Sequence, residues 1–467
     1  MPYVPGELLD HVLQYLDDDK RSLCACSRVS RDIWLPFASQ RLFHSVRFHA
    51  VVVGFYTHTG YVTFSDLLRF LATCERATQF IRNLVLDGSW RPRPTPNGTP
   101  PVFICPLGVD ILSGIVAALP SLRTLELRDV ELAMPSLMFR MSDLPPFKLE
   151  QLTLNYTQVH PLSPPCQRPG FDIPSILPMF SLGTLQVGYG PSRDPSAHPA
   201  SQIGSLGPAG RATPISHLDV RVTLPDDLDR LSEAIALTAA PACLQSLGLW
   251  MIEPQTSADT LASIYALLAC PASQGLQTLR INWGYGVYRD QSWEQLLPPL
   301  FAPPPLSSVV FTQDLGSQLD LHVFTRTFHA SISVLHATSP PTRPTLASRP
   351  RKVRLSFLAS AKMCAGDAGC RVALLPWASL DALAAAFERP AGHASAPEDW
   401  GIEVHVVFAR EELSEDVFAR MQNTIYGAVR EAETRKLLRI TWSRGVGRVD
   451  VVRPGIVHGD SLLGTVS

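Results

Sequence analysis

The chain has 467 residues, of which 46% are hydrophobic and 18% charged, a composition typical of an ordered globular protein with a large core. A formal net charge of −2 argues against a general attraction to nucleic acid or to an anionic membrane. The sequence has no apolar run of about 18 residues and no signal-peptide pattern, so we expect no membrane partner. The nine cysteines are scattered without paired C-x-x-C motifs. We therefore expect reduced thiols, no metal or other cofactor, and a location in the cytoplasm, the nucleus or both.

The first 47 residues predict three short amphipathic helices. Pro5 suits the first turn of a helix, and Asp17, Asp18 and Asp19 close that helix and offer a cap for the next. The apolar residues form three sets at helical spacing: Leu8, Leu9, Val12, Leu13 and Leu16; Leu23, Cys26 and Val29; Trp34, Leu35, Phe37, Leu42 and Phe43. A unit this small has too little interior to bury all of these faces. We expect the excess apolar surface to contact the rest of the chain or another protein.

This stretch resembles an F-box, in the form common in fungal proteins. The resemblance is carried by short motifs in order: Val4-Pro5, Glu7-Leu8-Leu9, Tyr15-Leu16, Asp18-Asp19-Lys20-Arg21, Leu23, Cys26-Ser27, Val29-Ser30-Arg31, Trp34-Leu35-Pro36 and Leu42-Phe43. F-box modules are three-helix units that bind the adaptor Skp1 and so connect a substrate receptor to a cullin-RING ubiquitin ligase. The resemblance implies a Skp1-binding face made of Pro5, Leu8, Leu9, Val12, Leu13, Leu16, Leu23, Val29, Trp34 and Phe43. In the alternative interpretation, these helices only cap the following domain and bind no adaptor.

Residues 48–338 contain an irregular repeat of the form apolar-x-x-Leu-x-Leu. Its members are Ile81/Leu84/Leu86, Leu122/Leu125/Leu127, Leu149/Leu152/Leu154, Leu182/Leu185/Val187, Ile215/Leu218/Val220, Leu244/Leu247/Leu249, Leu276/Leu279/Ile281 and Leu306/Val309/Phe311. The last two apolar positions alternate with polar ones, which predicts a strand with one buried face. Helical patterns precede most of these strands, starting near Phe64, Asp110, Asp227 and Ser257, with Ser65 or Asp66 as the N-cap of the first.

A helix followed by a strand, repeated at similar spacing, predicts an α/β fold in which an irregular leucine-rich-repeat-like solenoid follows the F-box. A doubly wound α/β domain is the structural alternative. Long apolar strands and a glycine-rich first turn would favour it, whereas the strands here are short and the L-x-L motif recurs. Proline-rich stretches at residues 91–106, 160–178 and 188–214 predict loops between repeats. Four aromatic residues follow the repeat strands and are candidates for binding a target protein: Trp250, Trp283, Tyr285 and Tyr288. Packing in the core or rim is the other interpretation of these aromatic side chains.

The carboxy-terminal part begins with a linker or exposed loop at residues 339–352. The basic cluster Arg349, Arg351, Lys352 and Arg354 is interpreted as a solvated face rather than an import or phosphate-contact patch. Residues 353–453 then predict terminal repeats and a cap, with strands at Val353, Ile402 and Leu438. Helices are predicted over residues 377–387 and 413–436, and residues 454–467 form a tail without apolar periodicity. A separate domain beyond the linker is the alternative.

No constellation of catalytic residues is found. Gly459-Asp460-Ser461-Leu462 spells the GDSL-esterase signature, but no His follows it and the motif stands at the wrong end of the chain. The predicted function is therefore a non-catalytic substrate-recognition subunit of an SCF-type (Skp1–cullin–F-box) ubiquitin ligase. Its partners would be a Skp1-like adaptor, through it a cullin, and an unidentified target protein. The rival prediction is an interaction scaffold that recruits no ligase, and a hydrolase using Ser461 is a third.

Overall fold

A computed structural model gives the architecture of this chain. It describes residues 6–16, 19–30, 34–52, 61–90, 103–133, 146–155, 176–188, 213–222, 225–251, 258–283, 300, 304–314, 321–338, 352–359, 371–380, 401–408, 414–429 and 438–444. The fold is mixed α/β, with helices at the amino terminus and a large parallel sheet over the remainder.

Helices and strands are interspersed along the described chain. The helices are α1 (Gly6–Gln14), α2 (Lys20–Val29), α3 (Trp34–His44), α4 (Phe64–Thr73), α5 (Glu75–Thr78), α6 (Val109–Ala117), α7 (Pro225–Thr238), α8 (Ala258–Ala269), α9 (Leu321–Thr338) and α10 (Glu415–Ala428). The strands are β1 (Ser45–His49), β2 (Val51–Val52), β3 (Tyr61–Val62), β4 (Asn83–Asp87), β5 (Ser89–Trp90), β6 (Phe103–Gly108), β7 (Thr124–Arg128), β8 (Val130–Ala133), β9 (Phe147–Asn155), β10 (Phe180–Gly188), β11 (Ile215–Val222), β12 (Ser246–Met251), β13 (Thr278–Trp283), β14 (Ser308–Asp314), β15 (Lys352–Ala359), β16 (Gly401–Phe408) and β17 (Leu438–Arg444).

The main sheet has twelve strands that follow one another in chain order. The order is β1-β4-β7-β9-β10-β11-β12-β13-β14-β15-β16-β17, and every neighbouring pair is parallel. A doubly wound sheet starts in its middle and reverses direction, which would give a different order. The described sheet runs from one edge to the other without such a reversal.

One face of the sheet is the core of the protein. Every apolar position of the eight predicted repeat sets is buried in a single cluster that the helices also enter. The second apolar residues of the repeat sets lie in register from strand to strand, beginning with Leu84, Leu125 and Leu152. Equivalent apolar side chains of neighbouring strands are therefore adjacent. The predicted half-buried strands are confirmed at these positions.

The predicted helices are also found, with differences at their ends. The N-cap of α4 is Thr63, whose hydroxyl accepts from the backbone N–H of Asp66 while the Asp66 carboxylate accepts from the backbone N–H of Thr63. This capping box makes the expectation of Ser65 or Asp66 as N-cap wrong, because Asp66 instead occupies the third position of the helix. The 18-residue helix α9 had no counterpart in the sequence predictions.

The carboxy-terminal strands extend the same sheet. β14 pairs with β15 from Ser308↔Lys352 to Asp314↔Leu358, and β16 and β17 follow. Of the two helices predicted there, α10 lies within residues 413–436, and a 3₁₀ turn at Trp377–Leu380 begins the other. Residues 381–387, the linker residues 339–351 and the tail with its GDSL motif lie outside the described residues.

The first proline-rich stretch is only partly a loop. Its last residues belong to β6, which forms a small side sheet with β5 and β8. Pro106 is tolerated there because, among the described residues, β5 pairs with Phe103 and Ile104 and no described strand pairs with the proline on that side. Residues 160–175 and 189–212, from the other two predicted loops, lie outside the described residues.

Candidate protein-interaction surfaces

The amino-terminal helices have a small core of their own. Leu13, Leu23 and Ala38, one from each helix, are fully buried together, and Trp34 and Leu16 pack against them. This cluster is separate from the main core. The three helices therefore form a distinct packed unit, which we call the helical unit (α1–α3).

The helical unit is joined directly to the first edge of the sheet. Helix α3 ends at His44 and β1 starts at Ser45, and Phe43 packs against the main core. The Lys20 Nζ atom donates to the Ser45 carbonyl at 3.2 Å. Within the unit, the Arg41 guanidinium pairs with the Asp10 carboxylate at 2.8 Å and so links α3 to α1. The boundary between unit and sheet lies at residue 44 rather than at the predicted 47.

Helix α1 carries apolar side chains on two sides. One side supplies Leu9 and Leu13, which are buried. On the other, Leu8 is 56% exposed, Val12 51% and Tyr15, in the turn after the helix, 79%. Offsets of 4 and 7 residues align these three along one side of a helix, and we call them the apolar stripe. An exposed stripe beside a filled core is typical of a surface that contacts another molecule.

The residues predicted to bind the adaptor therefore occupy different environments. Three are exposed, Leu8, Val12 and Val29, the last at 70%. Others support the unit from inside or lie at its boundary with the sheet: Leu9, Leu13, Leu16, Leu23, Trp34 and Phe43. Pro5 lies outside the described residues. Tyr15 was not among the predicted contacts, although its spacing from Leu8 and Val12 was the signal that points to it.

A second surface is the polar face of the main sheet, opposite the core. It consists of three registered rows of side chains that start at Ser45, Arg47 and His49 of β1, and we call it the open face. Hydrogen bonds join neighbouring strands here: the Gln151 side-chain amide donates to the Gln186 Oε1 atom at 3.0 Å, and the Thr153 hydroxyl donates to the same atom at 3.3 Å. These cross-strand bonds hold polar side chains in fixed positions.

Ion pairs order the first strands of the open face. The Asp87 carboxylate is 1% exposed and accepts from the Arg47 guanidinium at 2.6 Å and from the Ser89 hydroxyl at 2.7 Å. Burial opposes ionisation of Asp87, but these hydrogen bonds outweigh it and lower the pKa of the carboxyl. Asp87 is therefore a charged anchor for the edge of the sheet near the helical unit.

A shallow hollow, open to solvent, lies in the middle of the open face, and Trp250 forms part of its wall. Its other lining residues are Thr153, Asn155, Gln186, Val187, Gly188, Asp219 and Arg221. Gly248 provides the space, because a Cβ atom there would lie 2.2 Å from the Asp219 carboxylate oxygen. Burial raises the pKa of Asp219, with Arg280, His217 and Arg221 opposing the shift.

Of the four predicted target-binding aromatics, the two that the structure describes lie on opposite faces of the sheet. Trp250 is half-buried and lines the hollow on the open face, and its role in binding a target stays a prediction. Trp283 is 1% exposed and its Nε1 atom donates to the Ser331 hydroxyl at 2.9 Å. The prediction that Trp283 contacts a target is wrong. Trp250 is in register with Asn282, and Trp283 is the next residue along the strand. Because successive side chains of a strand point to opposite faces, Trp283 lies on the core face. Tyr285 and Tyr288 lie outside the described residues.

The last strands carry a polar network around Glu403. Its carboxylate accepts from the Arg354 guanidinium at 2.7 Å and lies 3.8 Å from the Lys352 ammonium. The His405 ring is hydrogen-bonded to the Thr441 and Ser443 hydroxyls at 2.8 and 3.0 Å. Burial and the Arg354 charge lower the pKa of His405, so the ring is neutral at pH 7. Of the basic cluster, Arg349 and Arg351 lie outside the described residues.

Other kinds of site are not found in the described part of the chain. No three His, Cys, Asp or Glu side chains among the described residues converge as metal ligands would. Among the described helices, none has the length and apolar character needed to cross a bilayer. No model of a known protein family matches the chain, and no curated protein is significantly similar to it.

Proposed function

We propose that this chain is a non-catalytic substrate-recognition subunit of an SCF-type ubiquitin ligase. In this proposal the helical unit is an F-box that binds a Skp1-like adaptor, and through it a cullin. The sheet and its helices act as a leucine-rich-repeat-like solenoid that holds a target protein. Ubiquitin transfer then depends on proximity, and the chain itself carries out no bond chemistry.

The observation that carries the proposal is the apolar stripe. Leu8, Val12 and Tyr15 remain exposed although the helical unit has already formed its own core. Burying a Val or Leu side chain that is about half exposed contributes about 1 kcal/mol. Together with Val29, the stripe gives an adaptor several such contacts on one small unit. A partner that covers this surface removes an otherwise unfavourable exposure of apolar side chains to water.

The sheet supports the second half of the proposal. In a solenoid each repeat contacts only its neighbours, and the strand order of the main sheet follows the chain in the same way. The open face is broad, polar and has a hollow at its centre. A rigid scaffold whose polar side chains are fixed by cross-strand hydrogen bonds suits recognition of a protein segment.

Co-purification with a Skp1-type adaptor tests the proposal. The double substitution Leu8→Asp/Val12→Asp places two carboxylates on the apolar stripe without touching a buried side chain, so the fold should be retained. The matched control is Leu237→Asp/Leu374→Asp, since these residues are also exposed, at 51% and 63%, and lie outside the helical unit. We expect the first variant to lose adaptor binding and the control to keep it, with equal thermal unfolding temperatures.

Retention of the adaptor by Leu8→Asp/Val12→Asp would contradict the proposal. So would failure of the unaltered chain to bind any Skp1-type adaptor. Either result favours an interaction scaffold in which the helical unit serves only as a cap on the sheet.

A further inference from the structure

The open face has two halves that differ in charge. In β1–β12 the cationic and anionic side chains are equal in number: Arg47, Arg128 and Arg221 against Asp87, Glu126 and Asp219. In β13–β17 the described side chains are unequal: Arg280, Lys352, Arg354 and Arg439 against Glu403. The excess of positive charge is confined to the second half, although the whole chain has a formal net charge of −2.

Three of these cations lie in one registered row. Arg280 pairs in register with Val310, Val310 with Arg354, and Arg354 reaches Arg439 through Glu403. Neighbouring strands are about 4.8 Å apart, so the row from Arg280 to Arg439 is about 19 Å long. An extended peptide covers that distance with about six residues.

Among the described residues, carboxylates are fewer than cations in this half of the open face. Arg354 and Lys352 share the Glu403 carboxylate, at 2.7 and 3.8 Å. Arg280 and Arg439 are exposed. The Asp219 carboxylate interacts electrostatically with Arg280, and Glu403 lies in register beside Arg439. The positive charge of this half is therefore neutralised only in part by the chain's own described groups.

The polar environment agrees with an anionic partner. The Thr278, Ser308 and Ser356 side chains lie on the same face between the cations. They supply hydrogen-bond donors to carboxylates or to a peptide backbone.

We propose that the β13–β17 half of the open face binds an acidic, extended segment of a partner protein, about six residues long. The segment crosses the strands along the Arg280–Arg354–Arg439 row, with its carboxylates on the three guanidinium groups. A peptide fits better than a nucleic acid, because the described rows of this half carry no Phe, Tyr or Trp on which bases would stack. This inference rests on the proposed role of the sheet in holding a target, and it specifies the chemical class of that target.

Fluorescence anisotropy with a labelled hexaglutamate peptide tests the inference on the full chain without any adaptor. The variant Arg280→Glu/Arg439→Glu reverses the two exposed cations at the ends of the row. The control Arg69→Glu/Arg420→Glu makes the same change in net charge on exposed positions of α4 and α10, which pack on the opposite face. Binding is measured at low ionic strength, where interactions between exposed charges are least screened.

We expect the first variant to weaken binding at least tenfold and the control to change it less than twofold. A hexaglutamine peptide should bind at least tenfold more weakly than hexaglutamate. Equal losses in both variants, or no binding by the unaltered chain, overturn the inference. Tighter binding of a hexathymidylate strand, lost in Arg280→Glu/Arg439→Glu, would instead assign the face to nucleic acid. Because no adaptor is present, these outcomes are independent of the co-purification test.

Discussion

Adjacent residues of α1 are expected to respond in opposite ways to the same substitution. Leu13 is 0% exposed and is one of three residues at the centre of the helical unit, whereas Val12 is 51% exposed. Leu13→Ala removes a fully buried side chain and leaves a cavity, a loss of about 2 to 5 kcal/mol. Val12→Ala removes half-exposed methyl groups and replaces a β-branched residue by the best helix former, so the net change is within about 0.5 kcal/mol.

Hydrogen exchange followed by mass spectrometry measures this contrast locally. Leu13→Ala destabilises a core that is separate from the main cluster. The substitution should therefore promote local opening of the helical unit while the sheet stays closed. A loss of at least about 2 kcal/mol corresponds to exchange about thirtyfold faster in α1–α3. Val12→Ala should leave exchange unchanged but weaken adaptor binding. Equal protection of α1–α3 in the two variants would refute the assignment of inner and outer sides of α1.

Further predictions concern the sheet and its supports. Stability should fall as the pH drops below about 4, because the pKa of Asp87 is lower in the folded protein than in the unfolded chain, so the unfolded chain binds the proton more readily. In urea titrations, Asp87→Asn should lower the stability at pH 7 and flatten this acid dependence. Ser331→Ala leaves the buried indole N–H of Trp283 without its acceptor and should cost about 1 to 3 kcal/mol, measured by tryptophan fluorescence during unfolding. Gly427→Ala should stabilise α10 by about 0.5 to 1 kcal/mol, because nothing lies within 4 Å of the added Cβ atom. Gly275→Ala should lower the melting temperature, because its Cβ atom would lie 2.2 Å from a backbone carbonyl oxygen. A higher melting temperature for Gly275→Ala would contradict the packing described at that turn.

The strands were predictable because their signal is local. Leu125 and Leu127 alternate with Glu126, and a period of two fixes which side chains share a face whatever the rest of the chain does. The same period of two predicted the strands near Ile402 and Leu438, and apolar residues at helical spacing predicted α10. Helix α9 was missed because its sequence, LHVFTRTFHASISVLHAT, mixes β-branched and polar residues that are buried by tertiary contacts.

The outward side of α1 was not predictable from spacing. Leu8 and Leu9, like Val12 and Leu13, are neighbours in sequence, and successive residues lie about 100° apart around a helix. The sequence therefore predicts one broad apolar face. Only packing against α2 and α3 decides which half of that face enters the core, since Leu23 and Ala38 meet Leu13 and not Val12.

By itself, the sequence determined the positions of every strand of the main sheet except β1, the alternation that makes one sheet face apolar and the other polar, and the presence of three amphipathic helices before the sheet. The tertiary structure decided what depends on distance between residues far apart in the chain. It buried Trp283 against Ser331 and placed Trp250 beside a hollow. It also aligned Arg280, Arg354 and Arg439 in one row, because the register of parallel strands is set by side-chain packing across the sheet and not by spacing along the chain.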